Sequence, residues 1–268
     1  MLIAEVARDT AWIIDGINAR LSAMRYDGSA WRYAASWQRP GMPVVPFAVS
    51  RLLSGTLMMN GSIATAERIG FPLHLMDTSG AIRSFGTLNP VLRPGATALG
   101  MRKLWPSSQG GVWVAHASRF QFEHYDVTGR MTGHWSRPVD WFLPHDGSQL
   151  LGPEEKPPSP RLSAIAEDAQ GLIWILVAVP DPRYREAFAT HMGPGRIDIV
   201  NRDLLSDTII EVYDLRAGAL LATKRIPQAL LAVIGQDGNG LQAVGEKRTE
   251  MGGWQMPLFH LEIAGRTP

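Results

Sequence analysis

Short apolar and β-branched runs recur along the chain, each preceded by a turn rich in Gly, Asp or Ser. Trp12-Ile13-Ile14 follows Arg8-Asp9, Leu57-Met58-Met59 follows Ser54-Gly55, and Val112-Trp113-Val114 follows Gln109-Gly110-Gly111. Ile173-Trp174-Ile175-Leu176-Val177 follows Asp168-Ala169-Gln170-Gly171, and Leu241-Gln242-Ala243-Val244 follows Asp237-Gly238-Asn239-Gly240. Runs of this length between turn residues predict strands. No longer segment carries a 3.6-residue apolar period, and only residues 183–190 suit a short helix.

A second marker follows each run. Tyr26-Asp27-Gly28, Met76-Asp77-Thr78-Ser79-Gly80, Tyr125-Asp126-Val127-Thr128-Gly129 and Tyr213-Asp214-Leu215-Arg216-Ala217-Gly218 are joined by a weaker Leu261-Glu262-Ile263-Ala264-Gly265. The positions 27, 77, 126, 214 and 262 recur about every 50 residues, except for one long interval that holds an insertion. Within a repeat, four strands (A to D) can be placed. In the third they fall near 101–106, 112–116, 120–125 and 131–135, and in the fourth near 161–167, 172–177, 208–213 and 219–225. Antiparallel four-stranded units of about 40–50 residues are the blades of a β-propeller, because one such sheet cannot bury both its faces and must lean on the next.

The expected fold is therefore all-β, a β-propeller of four-stranded antiparallel blades with about five blades present. It forms a single domain over 1–268, with repeats at approximately 1–47, 48–100, 101–160, 161–228 and 229–268. A β-sandwich of the same strands is the alternative, but it leaves the recurring order of Gly turn, Trp and Tyr-Asp without a reason. The pattern yields about 19 strands, against about 24 for six four-stranded blades. This predicts an incomplete six-bladed ring, short of one blade and a closing strand on the N-terminal side, with open blade edges suited to self-association.

Trp12-Ile13-Ile14-Asp15-Gly16-Ile17-Asn18-Ala19-Arg20-Leu21 resembles the Val-x-Asp-x-x-Asn-x-Arg-Ile core of NHL-type repeats. Gly70-Phe71-Pro72-Leu73-His74 to Ser84-Phe85-Gly86, Val112-Trp113-Val114-Ala115-His116 and Asp207-Thr208-Ile209-Ile210-Glu211-Val212-Tyr213-Asp214 are similar to blades of bacterial six-bladed propellers related to NHL and TolB-like proteins. That resemblance implies either a binding scaffold or an enzyme, since such propellers include metal-dependent lactonases, other hydrolases and lyases. Those enzymes gather acid, amide and His ligands from several blades at a central channel. Asp15, Asn18, His74, His116 and Asp214 would be available here, and calcium enters only under that reading.

Composition narrows the classes. With 45% hydrophobic residues and a mean hydropathy of -0.05, the chain has ample material for a core. No apolar run approaches the roughly 18 residues of a membrane span. The 26 basic and 25 acidic residues leave a net charge of +1, without the basic excess expected of a nucleic-acid binder. There are no cysteines, hence no disulfides, thiolate metal sites or cysteine nucleophiles. The seven histidines show no His-Glu-x-x-His spacing, so no metal site is assigned. Asp237-Gly238-Asn239-Gly240 reads as a hairpin turn rather than a calcium loop. No Gly-x-Ser-x-Gly elbow or phosphate-cradling Gly loop occurs, so no catalytic residue is assigned. Asn60-Gly61-Ser62 matches a glycosylation triplet. Met1-Leu2-Ile3-Ala4-Glu5-Val6 has no export signature, so the chain as written reads as cytoplasmic, and as periplasmic or secreted if a further N-terminal segment precedes it.

Antiparallel order puts the B-to-C and D-to-A connections on one face. The long connections, 60–70, 178–207, 245–256, 37–47, 87–100 and 136–160, are all of these kinds. Long loops on a rigid scaffold usually carry recognition. The most distinctive runs from Pro180 through His191 to Arg202. Its Arg183, Tyr184, Arg185 and His191 suit a carboxylate, a phosphate or a peptide, or else form a solvated loop packed by Tyr184 and Phe188. Arg137 beside Trp135, Trp141 and Phe142 would line a ligand cleft, or the aromatics plug the gap between blades. His116 and Arg119 complete the candidate set. His74 and His116, assigned to equivalent stretches of neighbouring blades, either point to a shared pocket or are ordinary strand histidines. The expectation is a non-catalytic propeller, without cofactor, that binds a protein, peptide or small ligand on the long-loop face.

Overall fold

The computed structural model describes residues 2–7, 9–15, 18, 20–38, 45–52, 54–62, 70–77, 79–87, 100–145, 157–189, 199–237, 240–248 and 253–264. The strands are β1 (Leu2–Ala7), β2 (Thr10–Asp15), β3 (Arg20–Tyr26) and β4 (Trp31–Gln38) in the first sheet, then β5 (Val45–Arg51), β6 (Leu57–Ser62), β7 (Leu73–Met76) and β8 (Ile82–Phe85) in the second. The third holds β9 (Arg102–Pro106), β10 (Val112–His116), β11 (Gln121–Tyr125) and β12 (Met131–Ser136). The fourth holds β13 (Arg161–Glu167), β14 (Ile173–Pro180), β15 (Ser206–Asp214) and β16 (Ala219–Ile226). The fifth pairs β17 (Leu230–Asp237), β18 (Gly240–Gly245) and β21 (Leu258–Leu261), with a two-stranded ribbon, β19 (Lys247–Arg248) and β20 (Trp254–Gln255), between the last two. Every neighbouring pair is antiparallel and follows chain order. These sheets are the blades of a β-propeller, and the strand limits expected in the third and fourth repeats match to within three residues, the largest difference being at the end of β14. No helix among the described residues is long and apolar enough to cross a membrane.

The chain divides into two compact units. One comprises Met1–Ala117 with Gln121–Ser136 and carries the first three blades; the other comprises Ser118–Phe120 with Arg137–Pro268 and carries the last two. In the first unit β1 lies against β5, and β5 against β9, so the first strands of successive blades are neighbours. Between the first and second blades, Leu21, Leu57, Met59 and Met76 are buried with Trp12 and Trp37 packed on them. Between the second and third, Leu52, Met58, Leu73, Leu75, Val112, Val114 and Tyr125 form the core. In the second unit β13 lies against β17, and Ile173 to Val177 are all buried, as befits a strand covered on both faces.

The recurring Asp residues explain the period. Each closes a C-to-D turn by accepting bonds that its own backbone cannot satisfy. Asp126 Oδ1 accepts from Thr128 N (2.8 Å), Thr128 Oγ1 (2.7 Å) and Arg130 N (3.0 Å), and Asp77 Oδ1 accepts from Ser79 N (2.9 Å) and Ala81 N (3.0 Å). Asp27 and Asp214 repeat the arrangement. On the opposite end, Asn18 Nδ2 and Arg20 donate to Asp15 at 2.7 and 3.2 Å, so the Asp-x-x-Asn-x-Arg residues of the first repeat interlock at its B-to-C corner.

Candidate functional site

The long insertion of the fourth blade leaves β14 at Pro180, which is opposite Ser206 in β15. Residues 184–187, where the sequence suits a short helix, make a single 3-10 turn, and Arg202–Leu204 makes another. Between them Phe188 bridges to Ile199. Tyr184, Ala187 and Phe188 are buried, with Ile199, Leu204 and Leu205 packed on them, so the insertion has a small core of its own.

The second 3-10 turn walls a cavity of about 210 Å³. Its other walls are Pro227, Gln228 and Ala229, which join β16 to β17, with Glu246, Lys247 and Pro257 from the B-to-C connection of the fifth blade and Gly245 and Phe259 from the strand ends that flank it. All three segments emerge at the B-to-C and D-to-A end of the fourth and fifth blades. Hydrogen bonds fix them: the Thr208 hydroxyl donates to Gln228 O (2.7 Å) and accepts from Leu230 N (2.8 Å), and Glu246 N donates to Ala229 O (3.3 Å). Two prolines, Ala229 and Phe259 supply apolar wall. Asp203, Glu246 and Lys247 supply charge of both signs, and Arg202 lies 3.8 Å from Glu246 Oε1.

At the root of the insertion two aspartates are buried together. Asp181 is 5% exposed and Asp207 4%. Arg225 on β16 donates to Asp207 Oδ2 (2.6 Å) and to Pro180 O (2.7 Å), while Arg183 N donates to Asp181 Oδ1 (2.6 Å). Asp207 Oδ1 has no donor among the described residues. Burial holds the Asp207 carboxyl above its ordinary value, Asp181 pushes the same way, and Arg225 opposes.

Arg137, in the connection that follows β12, anchors on the same unit. Its Nε donates to the Tyr213 hydroxyl (2.9 Å) and its guanidinium pairs with buried Glu211, to which Tyr213 also donates. The guanidinium lies 5.2 Å from the Phe120 ring centroid, and Phe120 meets Trp141 and Phe142 edge-on at 5.5 and 5.7 Å. Burial and then Glu211 push the Tyr213 phenol up. The first unit repeats the theme on β11. Glu123 accepts from Tyr125 OH (2.9 Å) and Gln121 Nε2 (2.8 Å), with His116 Nε2 at 3.2 Å. Burial opposes its charge, but these partners overcome it and hold Glu123 at about 2.

The candidates from the sequence therefore separate. Arg137 and Trp141 come together around Phe120. Arg183 is exposed, with Nε 3.8 Å from Asp181 Oδ1. Tyr184 is buried inside the insertion, where its hydroxyl accepts from Arg185 Nε (3.3 Å). Arg119 is exposed in the turn after β10. His116 belongs to the Glu123 cluster of the first unit, and His191 lies outside the described residues. His74 and His116 do not occupy equivalent positions: His74 is on the third strand of its blade, bonded to Ser84 Oγ (2.8 Å) and Gly61 O (3.1 Å), whereas His116 ends a second strand. Among the described residues no group of three His, Asp or Glu is placed to hold a metal ion.

Sequence reasoning did not single out the cavity residues, which come from three connections and carry no motif. A signal did exist for the other clusters. Glu-x-Tyr-Asp occurs at 123–126 and again at 211–214, and the Pro-Asp-Pro of residues 180–182 opens the insertion.

No family model matches the chain, and no curated protein matches it. The fold is similar to solved structures. A member of the DUF4221 family from Bacteroides vulgatus superposes with a TM-score of 0.57 and 9% identity, over 88% of this chain and 69% of that one. A protein of unknown function from Bacteroides caccae superposes with a TM-score of 0.50 and 11% identity, over 97% and 76%. Virginiamycin B lyase from Staphylococcus aureus is more distant in geometry, with a TM-score of 0.45 and 12% identity over 98% and 84%.

Proposed function

We propose that this protein is a non-catalytic propeller scaffold that takes a small ligand, or one side chain of a peptide, in the cavity between the fourth-blade insertion and the fifth blade's B-to-C connection. The observation that carries this reading is the cavity itself: about 210 Å³, apolar in its walls and charged at Asp203, Glu246 and Lys247, at the B-to-C and D-to-A end of the fourth and fifth blades. Ligand sites are usually apolar hollows with a few polar groups that fix orientation, and those for drug-sized molecules begin near 300 Å³. This one suits a group the size of an amino acid. Two carboxylates and an ammonium, with Arg202 paired to Glu246, favour a zwitterion or a peptide segment over a strongly charged ion. The interlocked Asp15, Asn18 and Arg20 support a place among NHL-like, six-bladed propellers.

The test is a thermal-shift screen of free amino acids and N-acetyl amino-acid amides, followed by calorimetry on any that raise the melting temperature. Gln228→Trp fills the cavity from its rim and should abolish binding, while Lys247→Glu should alter the preference between acidic and basic members. Binding that survives Gln228→Trp unchanged, or a panel with no member that binds, would overturn the assignment.

A further inference from the structure

The fifth blade is a three-stranded sheet, β17-β18-β21, whereas each of the other four blades has a fourth strand outside its third. The β19–β20 ribbon is a sheet of its own and β1 is committed to β2, so among the described residues no strand covers the outer edge of β21. The register tells which groups that edge presents. Gly245 N donates to Pro257 O (3.0 Å), and antiparallel alternation then makes Ala243 with Phe259, and Leu241 with Leu261, hydrogen-bonded pairs. The N–H and C=O groups of Leu258 and His260 therefore point outward.

That edge is also unguarded. Exposed edges are ordinarily blunted by a bulge, by charged side chains or by Pro, which discourage a further strand. In the other blades β4, β12 and β16 each carry an extra residue at a register shift, and β8 has Arg83 within its short run. β21 keeps a regular register with β18 and holds no Lys, Arg or Pro between Leu258 and Leu261. We infer that β21 is a docking edge that takes an extended peptide segment of another protein as the fourth strand of the blade.

The rows of side chains leading to the edge define the peptide. Ala232, Val244 and Leu258 stand side by side on one face of the sheet, and Val233, Ala243 and Phe259 on the other. Leu258, at the end of its row, is 58% exposed. An added strand continues both rows, so the peptide that fits has two successive apolar residues, one turned to each face, while its main chain bonds to Leu258 and His260. A second copy of this chain suits the edge less well. Stable dimers bury about 1,200–2,000 Å² in total, far more than the short run Leu258–Leu261 offers, whereas a linear segment needs only such a run. The contacts are main-chain groups on the outer edge, so docking here requires nothing of the cavity.

The probe is a dye-labelled, amidated peptide of residues Ala219–Ile226, an outer strand of this chain with Leu220 and Leu221 in succession. Fluorescence anisotropy with the full chain should show saturable binding. N-methylation at Leu220, Ala222 and Lys224 blocks one alternate set of peptide amides, and at Leu221, Thr223 and Arg225 the other. One set should abolish binding and the other leave it nearly unchanged, because only alternate amides of an added strand face β21. In the protein, His260→Pro removes an outward N–H where an edge strand tolerates proline, and should weaken binding about tenfold or more without lowering the melting temperature. Gln228→Trp, which closes the cavity, should leave the affinity as it is. No saturable binding, equal effects of the two methylated sets, full affinity in His260→Pro, or loss of affinity in Gln228→Trp would overturn the proposal. If His260→Pro does not fold, the methylated pair decides on the wild-type protein. Sedimentation that finds a dimer which the peptide dissociates would give the edge to a second copy, and would equally overturn it.

Discussion

The Tyr125 hydroxyl donates to Glu123 Oε2 at 2.9 Å, two residues back on the same face of β11, and Tyr213 makes the same bond to Glu211 one repeat later. Residues i and i+2 of a strand share a face, so a Glu-x-Tyr pair places an acceptor and its donor together wherever it occurs. What differs is the nitrogen group that faces the carboxylate. It is the His116 imidazole from the neighbouring strand in one blade, and the Arg137 guanidinium from 74 residues away in the other.

Arg137→Ala should destabilise the protein by about 1–3 kcal/mol, because it leaves the buried Glu211 carboxylate with the Tyr213 hydroxyl but without its half-exposed guanidinium partner. Much of that loss is the penalty of an unpaired charge. Glu211→Gln in the same chain should therefore recover a large part of it. Urea unfolding of the two single variants and the double variant measures this, and an additive cycle would show that the pair is not coupled.

Glu123 gives a pH dependence of known sign. Its carboxyl is held at about 2 in the folded protein against 4.5 ordinarily, so the stabilisation is complete above pH 4.5 and is lost as pH falls towards 2. The difference corresponds to about 3 kcal/mol. Chemical unfolding at pH 6 and pH 3 should show wild type losing more stability than Glu123→Gln, which starts weaker and titrates less at this site.

Much of the architecture was legible in the chain because its causes are local. A strand covered on both faces reads as an unbroken apolar run, as at Ile173 to Val177, and an Asp two residues before Ser or Thr closes a turn within five residues. The functional end is different. Lys247, Gln228 and Asp203 become neighbours only after the blades have stacked, and no spacing along the chain encodes that. Tyr184 shows the limit from the other side. A Tyr between two Arg suggests a binding group, yet the insertion needed an apolar centre of its own and used the phenol ring for it. His74 is similar, its two nitrogens bonded to Ser84 and Gly61 within one blade.

Gly110 and Gly111 offer a paired test of backbone against packing. Both have φ of +86°, a region in which an L-residue is strained by about 1–2 kcal/mol. A Cβ at Gly110 would meet nothing within 4 Å, whereas one at Gly111 would lie 2.0 Å from Tyr125 O. Gly110→Ala should lower stability by about the strain alone. Gly111→Ala should cost several kcal/mol more, since the obstructing atom belongs to the backbone of β11. Melting temperatures of the two variants separate the terms.

Asn60 is fully buried and uses its whole amide. Nδ2 donates to Pro72 O (2.7 Å) and Gly100 O (2.8 Å), and Oδ1 accepts from Arg102 N (2.8 Å). The side chain thereby fastens its own blade to the start of β9 in the next. Asn60→Ala would take their side-chain partner from Gly100 O and the Arg102 amide, at roughly 1–3 kcal/mol for each group that water cannot reach, while Pro72 O keeps the Gly61 amide at 3.3 Å. Asn60→Asp keeps the size but not the donors, and sets a carboxylate against two carbonyl oxygens. We expect Asp to destabilise at least as much as Ala, the reverse of what side-chain volume would suggest. Unfolding free energies decide it: if Asp were tolerated better than Ala, size and not hydrogen bonding would be what Asn60 contributes.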